Sequence, residues 1–195
     1  MQDIPLFPLG TVLYPGGPLP LRIFETRYLD MISACLKGDT MFGVLLISDG
    51  SDTGPATTHD VGTLARIVDW YQGSDGLLGV TAVGVQRFQL MDCTRRANGL
   101  NVGTVELLDF AVPQQLPDEY RPLAHILAGV LDDLGKLYDL LDKDYEDAGW
   151  VAYRYAEILP ISPEQKQSCL ETEDPIERLQ MMREVLKTVR GPENA

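Results

Sequence analysis

The sequence predicts an α+β protein: a small, twisted, barrel-like sheet carrying one early helix, followed by a run of helices. Three observations predict it. From Ile4 to about Phe110 the chain is punctuated as short apolar strands separated by Gly, Asn, Asp and Ser turns. Within that region only one stretch, Phe24 to Lys37, changes to a helical period. Beyond Pro113–Pro117 (PQQLP) apolar residues recur every three or four positions almost to the end of the chain.

The β region opens with Leu6–Leu9, and Gly16-Gly17-Pro18 turns the chain into a segment whose Leu19, Leu21 and Ile23 alternate around Pro20 and Arg22, the period of a half-buried strand. From Phe24 the pattern changes. Phe24, Tyr28, Ile32, Cys35 and Leu36 make one stripe of a helix, with Glu25, Arg27, Asp30, Ser33 and Lys37 opposite; Lys37 suits the negative end of the dipole and Gly38 supplies a stop. Phe24 is thereby expected to anchor the helix in the core. Met41–Ile47 is an apolar run short enough for a strand buried on both faces. Asp49–Asp60 reads as loop. Gly62–Tyr71 is a strand in which alternation turns Trp70 inward and Tyr71 outward, and Gly73–Gly76 reverses the chain. Leu77–Val83 and Val85–Met91 are expected as two strands joined near Gly84, and Asn98-Gly99 as a hairpin turn into Val102–Phe110.

The domain division expected is 1–112 for the sheet and 113–195 for the helices. Leu123 through Leu141 predicts one long amphipathic helix despite Gly129 and Gly135. Asp147 can cap a helix bearing Trp150, Val151, Tyr155 and Ile158 that Pro160 halts. Ser162-Pro163-x-Gln165 and Asp174-Pro175-x-Glu177 each place a capping residue, a proline at the first helical position and a Gln or Glu at the third. Residues after Lys187 are expected to fray.

Several function classes are disfavoured. The chain has 195 residues, 45% hydrophobic and 23% charged, enough for a globular protein that buries roughly 70% of its unfolded surface. Its net charge is −13, split as 7 Lys/Arg against 12 Asp/Glu in residues 1–112 and 9 against 17 thereafter. That field repels nucleic-acid backbones and anionic lipid surfaces. No apolar run approaches the ~20 residues that span a membrane, and MQDIPLFPLG lacks the basic start of a secretory signal. Cys35, Cys93 and Cys169 are scattered, as in a cytoplasmic protein with reduced thiols. No cofactor is expected. GxxxxGK[ST] is absent. Ser162 and Lys166 fall one helical turn apart, but a Ser before Pro at a helix start reads as a cap and not as a Ser–Lys dyad. His59 and His125 have no second ligand at chelating spacing. Asp132, Asp133, Asp139, Asp142, Asp144, Glu146 and Asp147 lack the ligand order of a calcium loop and read as solvated surface.

The opening residues resemble a known family. Pro5-Leu6-Phe7-Pro8-Leu9, then Leu13, Pro15 and Leu19-Pro20-Leu21, and above all Ile23-Phe24-Glu25-x-Arg27-Tyr28 are similar to the start of the Lon N-terminal domain, the substrate-engaging part of the ATP-dependent protease Lon. The segments GTLARI and GVQRF, and later Leu159-Pro160, Lys166, Leu170-Glu171, Asp174-Pro175 and Arg178-Leu179, extend the resemblance over nearly the full length. It implies a PUA-like β pseudo-barrel followed by a helical bundle, standing alone without ATPase or peptidase. It implies a non-catalytic protein that binds unfolded or apolar polypeptide segments as an adaptor in ATP-dependent proteolysis or protein quality control. The partners implied are those segments and a separate ATP-dependent protease; a homodimer is admitted, nucleic acid and membrane are not. The peptide-binding candidates are Tyr14, Pro15, Arg22, Tyr28 and Tyr71, with Phe24, Glu25 and Arg27 as the structural motif, Glu25 and Arg27 tying the helix start to neighbouring strands. The rival reading is a small-molecule or enzymatic site between the first helix and the sheet. RNA binding, suggested by the PUA-type shape, is opposed by the charge.

Overall fold

The computed structural model describes residues 1–51 and 56–190. Its contacts divide the chain into two units, Met1–Phe110 and Ala111–Ala195.

The first unit is built on β6 (Leu78–Arg95), an 18-residue strand long enough to serve two sets of partners. Its first half pairs antiparallel with β2 (Pro18–Ile23) on one side and β5 (Val61–Gln72) on the other. Its second half pairs with β7 (Asn101–Leu107), which pairs with β1 (Gln2–Leu9). β1 runs parallel to β3 (Phe42–Gly50), and β3 pairs back to β5, so β1, β7, β6, β5 and β3 form a closed circuit of hydrogen-bonded strands. Each of the five contributes to one buried cluster: Ile4 and Leu6, Val105, Phe88, Leu64 and Leu45. A second cluster lies where α1 (Thr26–Gly38) covers the inward face of β2 and the start of β6, joining Tyr28, Met31, Ile32 and Cys35 to Leu19, Leu21, Ile23, Val80 and Ala82. The hairpin turn at Asn98-Gly99 forms as expected, with Gly99 at φ 83° and its N–H donated to Arg96 O at 2.9 Å.

Several expectations are corrected. α1 begins at Thr26, because Glu25 has extended backbone (φ −82°, ψ 133°), so Phe24 lies outside the helix and is 60% exposed. Leu36, at the distal edge of the stripe, is 44% exposed, and Met31 is buried in its place. The helix stops on Asp39 (φ 48°), one residue beyond Gly38. Gly84 does not break a strand. It lies inside β6, where the Tyr14–Gly17 loop closes on it through Gly16 N–H to Gly84 O (2.8 Å) and Gly84 N–H to Gly17 O (2.9 Å). The loop expected over Asp49–Asp60 contains a short strand, β4 (Ala56–Thr58), paired with the end of β3; residues 52–55 lie outside the described residues.

The second unit holds α2 (Arg121–Leu134), α3 (Lys136–Asp139), α4 (Ala148–Ile158), α5 (Pro163–Glu171) and α6 (Pro175–Arg190). The single long helix expected over Leu123–Leu141 divides at Gly135, whose φ of 72° no helix accommodates. α4 is buried on nearly all sides and packs on α2, α5 and α6. Its caps follow the sequence. Asp147 accepts from Trp150 N–H at 2.7 Å and, with its other oxygen, from Gln114 N–H at 2.8 Å, fastening the PQQLP segment to the helix start. Ser162 and Gln165 form the reciprocal capping box, and Asp174 accepts from Ile176 N–H at 2.8 Å. α6 continues past Lys187 to Arg190; of the fraying expected there, residues 191–195 lie outside the described residues.

Inside this unit Arg154 is fully buried and faces Glu157 (Nη2 to Oε2, 3.1 Å), whose other oxygen accepts from Tyr138 Oη at 2.6 Å. Burial pushes the Glu157 carboxyl above its ordinary range, against the opposing pull of Arg154, Tyr138 and Lys166.

Candidate functional site

In the first unit, strand register places Arg22 on β2, Gly79 on β6 and Tyr71 on β5 in one row across three strands. Cross-strand neighbours share a face, so Arg22 and Tyr71 emerge on the same side with only a glycine between them. The Tyr71 ring occupies the space above Gly79. Arg22 leans toward the Gly73–Gly76 turn and pairs with Asp75. Both partners are solvent-exposed, so the pair orients Arg22 and adds little stability.

Arg22 is shared by two clefts. One, about 180 Å³, is walled by Tyr71, Gly73, Ser74, Asp75, Leu77 and Gly79. The other, about 190 Å³, is mainly apolar, with Phe7 and Leu9 from β1, Leu21 and Ile23 from β2, and Phe24 and Tyr28 around the start of α1, and has Arg22 and Glu25 as its charged lining. Tyr28 is buried and stacks on Phe7 with ring centroids 3.9 Å apart, giving the cleft a rigid aromatic floor. Phe24 stands at its edge with most of its ring in solvent. Glu25 and Arg27 hold this corner in place. Their ion pair is 2.7 Å long, and Arg27 also donates to Gly99 O at 3.1 Å, which links the start of α1 to the β6–β7 turn.

Trp70 adds to the exposed apolar surface of this unit. Register puts it on the inward face with Leu21 and Val80, as alternation predicts, yet it is 61% exposed. Val68 falls at the β5 register shift next to it and is also exposed. Trp70 N–H is held by Asp69 Oδ1 at 2.9 Å.

Of the residues singled out from sequence, Arg22 lines one cleft with Tyr71 and the other with Tyr28. Tyr14 lines neither: it is fully buried because the Tyr14–Gly17 loop folds onto Gly84, and a side chain without surface cannot contact a peptide. Pro15 is half-buried in the same loop and bridges Gly84, five residues along β6 from Gly79. Phe24, expected in the core, is instead the most exposed apolar wall of the cleft it shares with Tyr28; the neighbouring Glu25, a poor companion for the interior, is the sequence signal that could have shown it.

The other chemical candidates resolve into structural roles. Ser162 Oγ accepts from Gln165 N–H at 3.2 Å while Lys166 Nζ donates to Glu157 O at 2.9 Å, so neither faces the other. Asp132, Asp133, Asp139, Asp142, Asp144 and Glu146 are exposed, and among the described residues no three His, Cys, Asp or Glu side chains converge as metal ligands. Among those residues no helix is long and apolar enough to cross a membrane.

Comparison with known proteins gives the site a context. The model of the ATP-dependent protease La (LON) substrate-binding domain matches residues 3–188. The chain is 25% identical to Lon protease 2 of Myxococcus xanthus over 97% of its own length and 24% of that protein's. It is 32% identical to protein cereblon of Xenopus tropicalis over 55% of its length. It therefore spans about a quarter of the length of the curated relatives it matches. Among solved structures, the Lon N-terminal domain protein from Xanthomonas campestris superposes with a TM-score of 0.77 at 36% identity, covering 94% of this chain and 98% of that one.

Proposed function

The chain belongs to the LON substrate-binding domain family, and from that membership we propose that it captures exposed apolar segments of other polypeptides on the Arg22-centred surface of its first unit. The observation that carries the reading is Phe24: an aromatic side chain 60% exposed at the mouth of a cleft whose other aromatic walls, Phe7 and Tyr28, are buried. A large apolar side chain left in water beside a preformed apolar floor gains most when a partner covers it. Arg22, which lines both clefts, would carry the contact on to Tyr71, Tyr71 offering a ring and a hydroxyl, Arg22 a planar cation that tolerates apolar neighbours.

The contact is modest in area. At about 25 cal/mol per Å², a few hundred Å² of apolar burial leaves little once association costs are subtracted, so dissociation constants of about micromolar or weaker are expected. That strength suits a protein that samples many unfolded chains and releases them. The net charge of −13 favours apolar segments that are neutral or basic, with salt weakening only the basic ones. The role is non-catalytic: an adaptor in ATP-dependent proteolysis or quality control in the cytoplasm, presenting segments to a separate protease and turning over neither ATP nor casein.

A photo-crosslinking peptide tests the placement. A neutral apolar peptide carrying a benzophenone should label β2, the Phe24–Tyr28 segment and Tyr71. Labelling confined to the second unit, or none above that of a polar scrambled peptide, would remove the assignment.

A further inference from the structure

We propose that a third cleft of the first unit, between α1 and the β6–β7 turn, binds a free apolar α-amino acid as its zwitterion, Arg96 taking the carboxylate and Asp30 the ammonium. The cleft is about 350 Å³, within the range of small-molecule sites and larger than either cleft beside Arg22. It shares no lining residue with them, so the inference is independent of the polypeptide-binding reading.

Its lining combines an apolar floor with the polar Thr40 and Asn98 and two charged side chains, Arg96 and Asp30. Met31, Cys35 and Leu100 are almost fully buried, and Pro5 and Ala34 complete the apolar wall. Burial pushes the Cys35 thiol above its ordinary value, so it stays neutral and the floor carries no charge. Arg96 and Asp30 both line the cleft and are both exposed, yet neither forms an ion pair among the described residues. Opposite charges that line one cleft without pairing leave an opening for a ligand that carries both. A simple carboxylate would meet Arg96 but be repelled by Asp30; an amine would meet Asp30 but be repelled by Arg96. A zwitterion satisfies the two together, and an apolar side chain on it reaches the floor. The cleft is also preformed: Arg27 clamps α1 to the turn through Gly99 O, and Asn98 Oδ1 accepts from Leu100 N–H at 3.1 Å, fixing the shape of the turn.

The test is an amide-resolved NMR titration of the whole chain with leucine, glycine, N-acetyl-leucine and leucinamide, each up to about 10 mM. Leucine should give saturable shifts at Ala34 and Leu100, glycine none, and each blocked derivative should bind about tenfold more weakly or worse. Arg96→Gln and Asp30→Asn, both surface changes that keep the spectrum of the fold, should each weaken leucine about tenfold. Absence of saturable shifts with leucine would overturn the proposal. So would equal binding of N-acetyl-leucine or leucinamide, or unchanged affinity in both variants.

Discussion

The ring of Tyr71 lies on Gly79: a Cβ built on that glycine would stand 2.3 Å from the ring's Cζ, well inside any tolerated contact. The atoms it would meet are the far end of a side chain that is half in solvent. Gly84, five residues further along the same strand, is close to something less yielding, since its added Cβ would stand 2.1 Å from the backbone O of Tyr14. Gly79→Ala should therefore displace the Tyr71 ring at a cost of about 1 kcal/mol or less, whereas Gly84→Ala should cost about 3 kcal/mol or more. Urea unfolding of the two variants side by side checks the ordering; equal losses would contradict it.

Phe24 and Phe42 provide a second contrast. Phe42 has no exposed surface and packs in the α1 cluster, while Phe24 is 60% exposed. Phe42→Ala should destabilise by about 3–5 kcal/mol and Phe24→Ala by about 0.5 kcal/mol or less. Thermal melting of both decides it, and a large loss for Phe24→Ala would place that ring in the core.

Alkaline pH should loosen the fold through Cys169. Burial pushes its thiol up to about 11 from an ordinary 9.0, against a smaller opposing pull from Arg178. Between those values the unfolded chain has released the proton and the folded chain keeps it, so stability is full below pH 9 and is lost as pH rises toward 11. The loss amounts to about 2–3 kcal/mol. The buried Tyr138 phenol, raised by burial and by the Glu157 carboxylate, acts in the same direction at higher pH. Cys169→Ala should flatten the fall in urea midpoint over this range; an unchanged slope would show that the thiol ionises freely in the folded state.

What was legible in the sequence follows from how local each signal is. Caps and turns depend on neighbouring residues alone, which is why Asp147, Ser162 with Gln165 and the Asn98-Gly99 turn form where their spelling places them. Exposure depends on what covers a residue, and that is settled by distant parts of the chain. Alternation assigned Trp70 the correct face, but that face is left uncovered at the end of β5. Phe24 fits the helical stripe of Tyr28 and Ile32 by spacing, although the helix starts two residues later. Gly84 reads as punctuation and is instead a point of close backbone approach. Tyr14 looks like a surface aromatic in a loop and is buried because that loop lands on Gly84. At the site, Arg22 and Tyr71 could be named from strand period, whereas the row that joins them needed the register of three strands separated by up to 57 residues.

Docking of apolar segments on the Phe24 cleft can be measured by a matched comparison of affinities. A neutral apolar peptide is titrated into the wild-type protein, Phe24→Ser and Met91→Ser, Met91 being 52% exposed but outside both Arg22 clefts. Both changes remove one exposed apolar side chain of the same unit, so general stickiness falls alike. Phe24→Ser should weaken binding about tenfold or more while Met91→Ser leaves it within about twofold, with both variants melting like the wild type. Equal affinity of Phe24→Ser and wild-type protein for the peptide would contradict it.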